Sequence, residues 1–306
     1  GTHAHGAVAH PNLPLIYLCG ADGITTLRHD RNGAYEKHDT TVTADAYLGI
    51  TLDQQARFII ARRKHMLDVF PVSETGKTSP PNAAASLGEN EGISQISSSM
   101  GNSVYLSSRK ASISYLQRFE LDPSNGSLTD REQDQITAPI ARKYGELTRH
   151  PKQPLIYASD RQEPAVFAFR ANSDGSLEQL HRAVVFNPAY TTTHIGADHI
   201  IVSPYSRFLY QTLTQQGNFE WITCFRIAED GTLKVKGHTP APPNPNAIAF
   251  SPSGHFLLVA SASPAQLTAY RYEPDRTLQK TAQLILPQTF SPTFMVVASA
   301  AAKPVP

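Results

Sequence analysis

The sequence contains no apolar run near the roughly 20 residues that span a bilayer as a helix, and no basic start followed by an apolar stretch. It has almost no net charge, with 27 Lys and Arg against 26 Asp and Glu in 306 residues. That balance argues against a nucleic-acid or membrane partner, because phosphate binding normally shows as a clustered excess of cations. Only two cysteines are present, Cys19 and Cys224, too few for a disulfide framework or a cysteine zinc site. Both lie in apolar, strand-like runs and read as small buried hydrophobes. The His-Glu-x-x-His, glycine-rich phosphate-loop, Gly-x-Ser-x-Gly and Cys-x-x-Cys patterns are all missing, so neither a metal site nor a cofactor is expected. No apolar stripe at i, i+3, i+4 and i+7 is sustained, which excludes a helical fold.

What the chain does have is enough apolar residue to build a core: 40% are hydrophobic and only 17% charged. This is a soluble globular composition. The expected compartment is the cytoplasm. Because residue 1 is Gly and not Met, a targeting segment removed ahead of it remains compatible with the sequence.

The dominant feature is a repeat. His10-Pro11-Asn12-Leu13-Pro14-Leu15-Ile16-Tyr17 returns as His150-Pro151-Lys152-Gln153-Pro154-Leu155-Ile156-Tyr157. Looser copies run from Asp53 to Ile60, Ser99 to Leu106, Ser203 to Tyr210 and Ser251 to Leu258. Each copy leads to a strand of alternating character and a polar turn. The turns centre on Gly33, Gly76, Gly126, Gly175, Gly231 and Arg276, about 49 residues apart, the spacing of four-stranded propeller blades. Glycine suits such turns because it reaches positive φ without a steric penalty. The expectation is an all-β, single-domain β-propeller over residues 1–306, with six repeats. The segment Pro292 to Ala298 reads as a lone closing strand that pairs with the first blade; seven blades is the alternative.

The phrase of apolar strand, Ser-Pro-x-Ser/Gly, Phe-Leu-Tyr, Phe/Tyr-Arg-Ile/Tyr and Asp-Gly-Thr-Leu resembles the lactonase-type seven-bladed propellers, which include the bacterial propeller form of 6-phosphogluconolactonase. The likeness covers essentially the whole chain and is clearest from His194 to Ala298. It implies an active centre at the channel mouth, built from His and Arg in the loops leading into the innermost strands. His3-Ala4-His5 and Gly20-Ala21-Asp22 match that pattern. Gly145-Glu146 stands where the family often has Arg-His, and Pro245-Asn246 stands where Pro-Arg is common.

The residues themselves nominate two constellations. Four positions beyond the second-strand markers Tyr17, Ile60, Tyr105, Tyr157, Tyr210 and Leu258 lie Ala21, Lys64, Arg109, Arg161, Thr214 and Ala262. Lys64, Arg109 and Arg161 thus place cations on three consecutive blades, where they could hold a phosphate or carboxylate or simply solvate loops. His194, Asp198 and His199 lead into the fifth blade. An imidazole there could act as general base on water, with a carboxylate fixing its tautomer; the alternative is structural bracing between blades. The catalytic candidates are therefore His194, Asp198, His199 and His5, and the substrate-binding candidates are Lys64, Arg109, Arg161, His3 and Asn246.

Two kinds of function follow. One is a lactonase-like hydrolase of an acidic or phosphorylated sugar lactone, for example 6-phosphogluconolactone, with a muconate-lactone isomerase as a variant on the same scaffold. The other is a non-catalytic propeller that binds a ligand or a protein partner.

Overall fold

Runs of five to eight residues that alternate branched or aromatic side chains with polar ones favour extended backbone, because such side chains pack well on a pleated surface. In the computed structural model those runs form six sheets, each a four-stranded antiparallel meander in chain order. The structure describes residues 4–30, 34–88, 91–185, 195–215, 220–272, 277–287 and 294–297. We call the strands of a blade A to D from the axis outwards. The A strands are Ala4–Ala9, Gly49–Leu52, Glu91–Met100, Tyr144–Arg149, Ile195–Val202 and Pro245–Phe250, and successive ones lie side by side. Blade 3 gains a short fifth strand, Ile136–Thr137, on Ile113–Leu121. The one helical element among the described residues is a single turn, Glu132–Asp134, and no described helix is long and apolar enough to cross a membrane.

The repeat is therefore a six-bladed all-β propeller. The closing strand is a correction: Phe294–Val297, the described part of that segment, is irregular and pairs with no strand among the described residues. The inner position of blade 1 is already filled by Ala4–Ala9, so its sheet has no vacancy for a second A strand.

Five apolar cores stand between consecutive blades, from the first pair to the fifth pair. The core between blades 4 and 5 joins Tyr157, Val166 and Ala168 to Leu209, Phe225 and Ile227. Burying one such large side chain contributes roughly 1.5–3 kcal/mol. Among the described residues no comparable core joins blade 6 to blade 1. Cys19 and Cys224 are buried in these layers, and burial pushes their thiols up to about 12 and about 11.

The B-strand tyrosines also tie blades together. Tyr17 Oη donates to the Gly76 carbonyl of the next blade at 2.8 Å, and Tyr105 and Tyr157 reach Gly175 and Gly231 in the same way. Those carbonyls lie in C-to-D turns where the glycine has φ of +81° to +91°. A Cβ on Gly231 would stand 2.6 Å from Leu155 Cδ2, so the turn needs glycine for both its backbone and its close approach.

Candidate active site

In a meandering blade the start of strand A and the B-to-C turn share one end, so six blades build a ring of loops around one channel mouth. Five A strands carry a β-bulge there, blade 3 among them, where the backbone between Glu91 and Gln95 leaves the ladder. In the other four the bulged residues are His5 in blade 1, Gly145 and Glu146 in blade 4, Asp198 and His199 in blade 5, and Asn246 in blade 6. In these four, regular pairing beyond the bulge resumes at Gly20, Asp160, Leu213 and Ser261, three positions past Tyr17, Tyr157, Tyr210 or Leu258, and in blade 3 it resumes one position further on, at Arg109. The irregularities therefore lie within one residue of a common level. A bulge inserts residues that have no ladder partner and re-aims their side chains, which is why bulges collect at functional sites.

Two of these bulges meet. His199 Nδ1 lies 3.1 Å from Glu146 Oε2, across the boundary between blades 5 and 4. The same oxygen accepts the Ile200 N–H at 3.0 Å, and the His199 N–H is held by Thr212 Oγ1 at 3.2 Å. The side chains are 26% and 21% exposed, sheltered yet open to a small molecule. A carboxylate that accepts a hydrogen bond from Nδ1–H fixes the tautomer that leaves Nε2 as the basic nitrogen.

Gly145 makes room for this arrangement. A Cβ there would sit 2.3 Å from Ser159 Oγ and 2.7 Å from Arg161 Cγ. Ser159 Oγ accepts the Glu146 N–H at 2.9 Å, so the hydroxyl that a side chain would displace is the one that anchors the bulge.

Cations at the mouth divide into two groups. Arg142 and Arg182 are committed to the carboxylates of Asp160 and Glu163, and Asp160 is fully buried. Arg63 bridges Asp45 and Asp68. Arg62 and Arg109, in contrast, have no carboxylate partner among the described residues, and the Nε of each is buried without a hydrogen bond. Burial lowers the pKa of Arg62, whose neighbour Cys19 stays a neutral thiol. Arg62 Nε lies 3.9 Å from where a Cβ on Gly49 would be, so its side chain passes over the start of the blade 2 A strand as Arg161 does in blade 4.

Of the sequence candidates, His5, Asp198, His199 and Asn246 fall on bulges, Arg109 falls at the mouth end of the B strand Ser103–Lys110, and Arg161 falls in the B-to-C turn of blade 4. Lys64 is exposed beside the half-buried Arg62. His3 and His194 lie outside the described residues. Sequence reasoning missed two residues. Glu146 was read only as a departure from the family pattern, although it supplies the carboxylate expected from Asp198. Arg62 was passed over in favour of Lys64, although the B strand Phe58–Arg62 ends at Arg62 and Lys64 lies in the exposed turn beyond it.

Comparison with known proteins agrees with the fold. Residues 146–289 match the family described as lactonase, 7-bladed beta-propeller. The chain is 25% identical over 234 residues to 6-phosphogluconolactonase of Erwinia tasmaniensis, a match that spans 75% of this chain and 68% of the relative. It is 23% identical over 152 residues to 6-phosphogluconolactonase of Pectobacterium carotovorum, spanning 49% of this chain and 45% of that one. Among solved structures, the Pseudomonas aeruginosa periplasmic gluconolactonase superposes with a TM-score of 0.76 at 18% identity, over 93% of this chain and 86% of the other. A Bacteroides fragilis protein gives 0.77 at 15% identity, over 95% and 86%. The likeness to lactonase-type propellers read from the sequence is borne out, and the solved structures speak to the fold.

Proposed function

We propose that the chain hydrolyses a sugar lactone bearing an anionic group, at the mouth of the channel. The observation that carries this reading is the Glu146–His199 pair on facing bulges. In the proposed step His199 Nε2 takes a proton from water as the oxygen attacks the lactone carbonyl. The ring ester C–O bond then breaks, and the proton passes from the imidazolium to the leaving alkoxide, giving the open hydroxy acid. Glu146 orients the ring and stabilises the imidazolium that forms. Asn246, on the adjacent blade's bulge, is assigned as a donor to the carbonyl oxygen as it becomes negative. Arg62 and Arg109 are assigned to the substrate's anionic group, since a guanidinium fork binds two oxygens of a phosphate or carboxylate. His5 and Asp198 share the bulge level and are assigned to positioning the sugar hydroxyls.

The relatives' names make 6-phosphogluconolactone the first substrate to try. Acid release from it, and from unphosphorylated gluconolactone, would be followed titrimetrically against the spontaneous rate. The expected result is acceleration of both, with the phosphorylated substrate preferred. Hydrolysis at the spontaneous rate with both would overturn the proposal.

A further inference from the structure

The face opposite the mouth, built from A-to-B and C-to-D turns, repeats one groove between neighbouring blades. Its copy at blades 1 and 2 has a volume of about 570 Å³ and its copy at blades 4 and 5 about 630 Å³. The backbones correspond position by position. His10 and His150 each accept two N–H groups of the following turn on Nδ1. Phe58 pairs with Pro71 as Phe208 pairs with Arg226. Ala56 and Ser206 both take positive φ, 55° and 63°.

The chemistry of the two copies differs sharply. The first groove holds Arg57 and Glu74, one charge of each sign. The second holds Lys152, Arg207, Arg226 and Lys236 against the single carboxylate of Glu229. Lys152 stands where the first copy has Asn12, and Arg226 where it has Pro71. None of the four cations makes an ion pair or side-chain hydrogen bond among the described residues. In addition, Ser206 Oγ is buried and lacks a hydrogen-bond partner, at the position where the first copy has the methyl of Ala56. The four cations are solvent-exposed, and together they concentrate positive potential in one concave site on a chain of net charge only +1, which attracts an anion to that groove.

The geometry points to a second ligand site, a groove between blades 4 and 5 that binds a small phosphate-bearing molecule on the face away from the channel mouth. The two guanidinium forks take phosphate oxygens in pairs, and the two ammonium groups add charge. The groove has the volume of a small-molecule site. This site does not depend on the proposed hydrolysis.

Isothermal titration with inorganic pyrophosphate tests it, using the whole chain at low ionic strength, where exposed charges are least screened. The expected result is saturable binding that weakens by roughly tenfold or more in the double variant R226Q/K236Q. R57Q, in the charge-balanced copy, should leave the affinity unchanged. Arg226 and Lys236 are exposed, so the double variant should fold, and a retained circular dichroism spectrum and melting temperature check this. Absence of saturable binding overturns the assignment, as does equal affinity in the double variant. Loss of binding in R62Q with retention in R226Q/K236Q would move the anion to the mouth and also overturn it, while leaving the hydrolysis proposal intact.

Discussion

On the face away from the mouth, His10, Asp53, His150, Ser203 and Ser251 occupy one repeated position, and each accepts backbone N–H groups of the turn that follows. At the mouth, His5, Gly145-Glu146, Asp198-His199 and Asn246 also occupy one repeated position, and no two are alike. The first set answers a demand made by the backbone: a tight turn leaves N–H groups that need an acceptor, and imidazole, carboxylate and hydroxyl all serve. The second set answers no common backbone demand. A bulge frees residues from the ladder, so each blade can present a different group to the channel. Identical function at equivalent positions therefore marks scaffold, and divergence at equivalent positions marks the site.

Substitutions on the two faces should separate cleanly. The largest effect is expected from His199→Gln, which keeps a polar side chain but cannot serve as a base. Lactone hydrolysis should fall by about 10²–10⁴-fold, with the melting temperature nearly unchanged. A loss of activity matched by a loss of stability would instead make His199 a brace between blades. Next is Gly231→Ala on the opposite face, where φ is +91° and the new Cβ would meet Leu155. It should cost about 1–3 kcal/mol of stability in urea unfolding and leave the rate constant for hydrolysis alone.

The smallest effect is a change in pH dependence. Burial lowers the pKa of His150, whose Nδ1 accepts two N–H groups while Nε2 donates to the Ser206 carbonyl at 2.8 Å. A histidine with a depressed folded pKa gives full stability above its unfolded value near 6.5. As pH falls below that value the unfolded chain takes up the proton first, and stability declines. His150→Asn retains an acceptor but not the titration, so its melting temperature should fall less than that of the wild type between about pH 7 and pH 5. Parallel curves for the two proteins would remove His150 from the acid response.

The same division explains what could be read from the sequence. The turn glycines and the His-Pro-x-x-Pro phrase recur because the backbone requires them, so the blade count and strand order were legible. The cysteines and B-strand tyrosines were legible as core for the same reason. Glu146 was not, because its partner His199 is 53 residues away on another blade, and the inserted residue that forms the bulge leaves no mark in a single chain. The lone closing strand misled because Pro292 to Ala298 carries the A-strand pattern, and a pattern says nothing about whether a sheet has a place for it. Arg62 was hidden by its neighbours: Lys64 is exposed, and Arg63 is half-buried like Arg62 but pairs with Asp45 and Asp68, contacts that no single sequence displays.

A double-variant cycle on Glu146 and His199 tests the catalytic pair most directly. The rates of lactone hydrolysis by Glu146→Gln, His199→Gln and the doubly substituted protein would be compared with wild type under identical conditions. If the two residues act as one unit, the double variant loses no more than His199→Gln alone, because the orienting carboxylate has no work once the imidazole is gone. Losses that multiply, or a Glu146→Gln protein as active as wild type, would contradict the assignment.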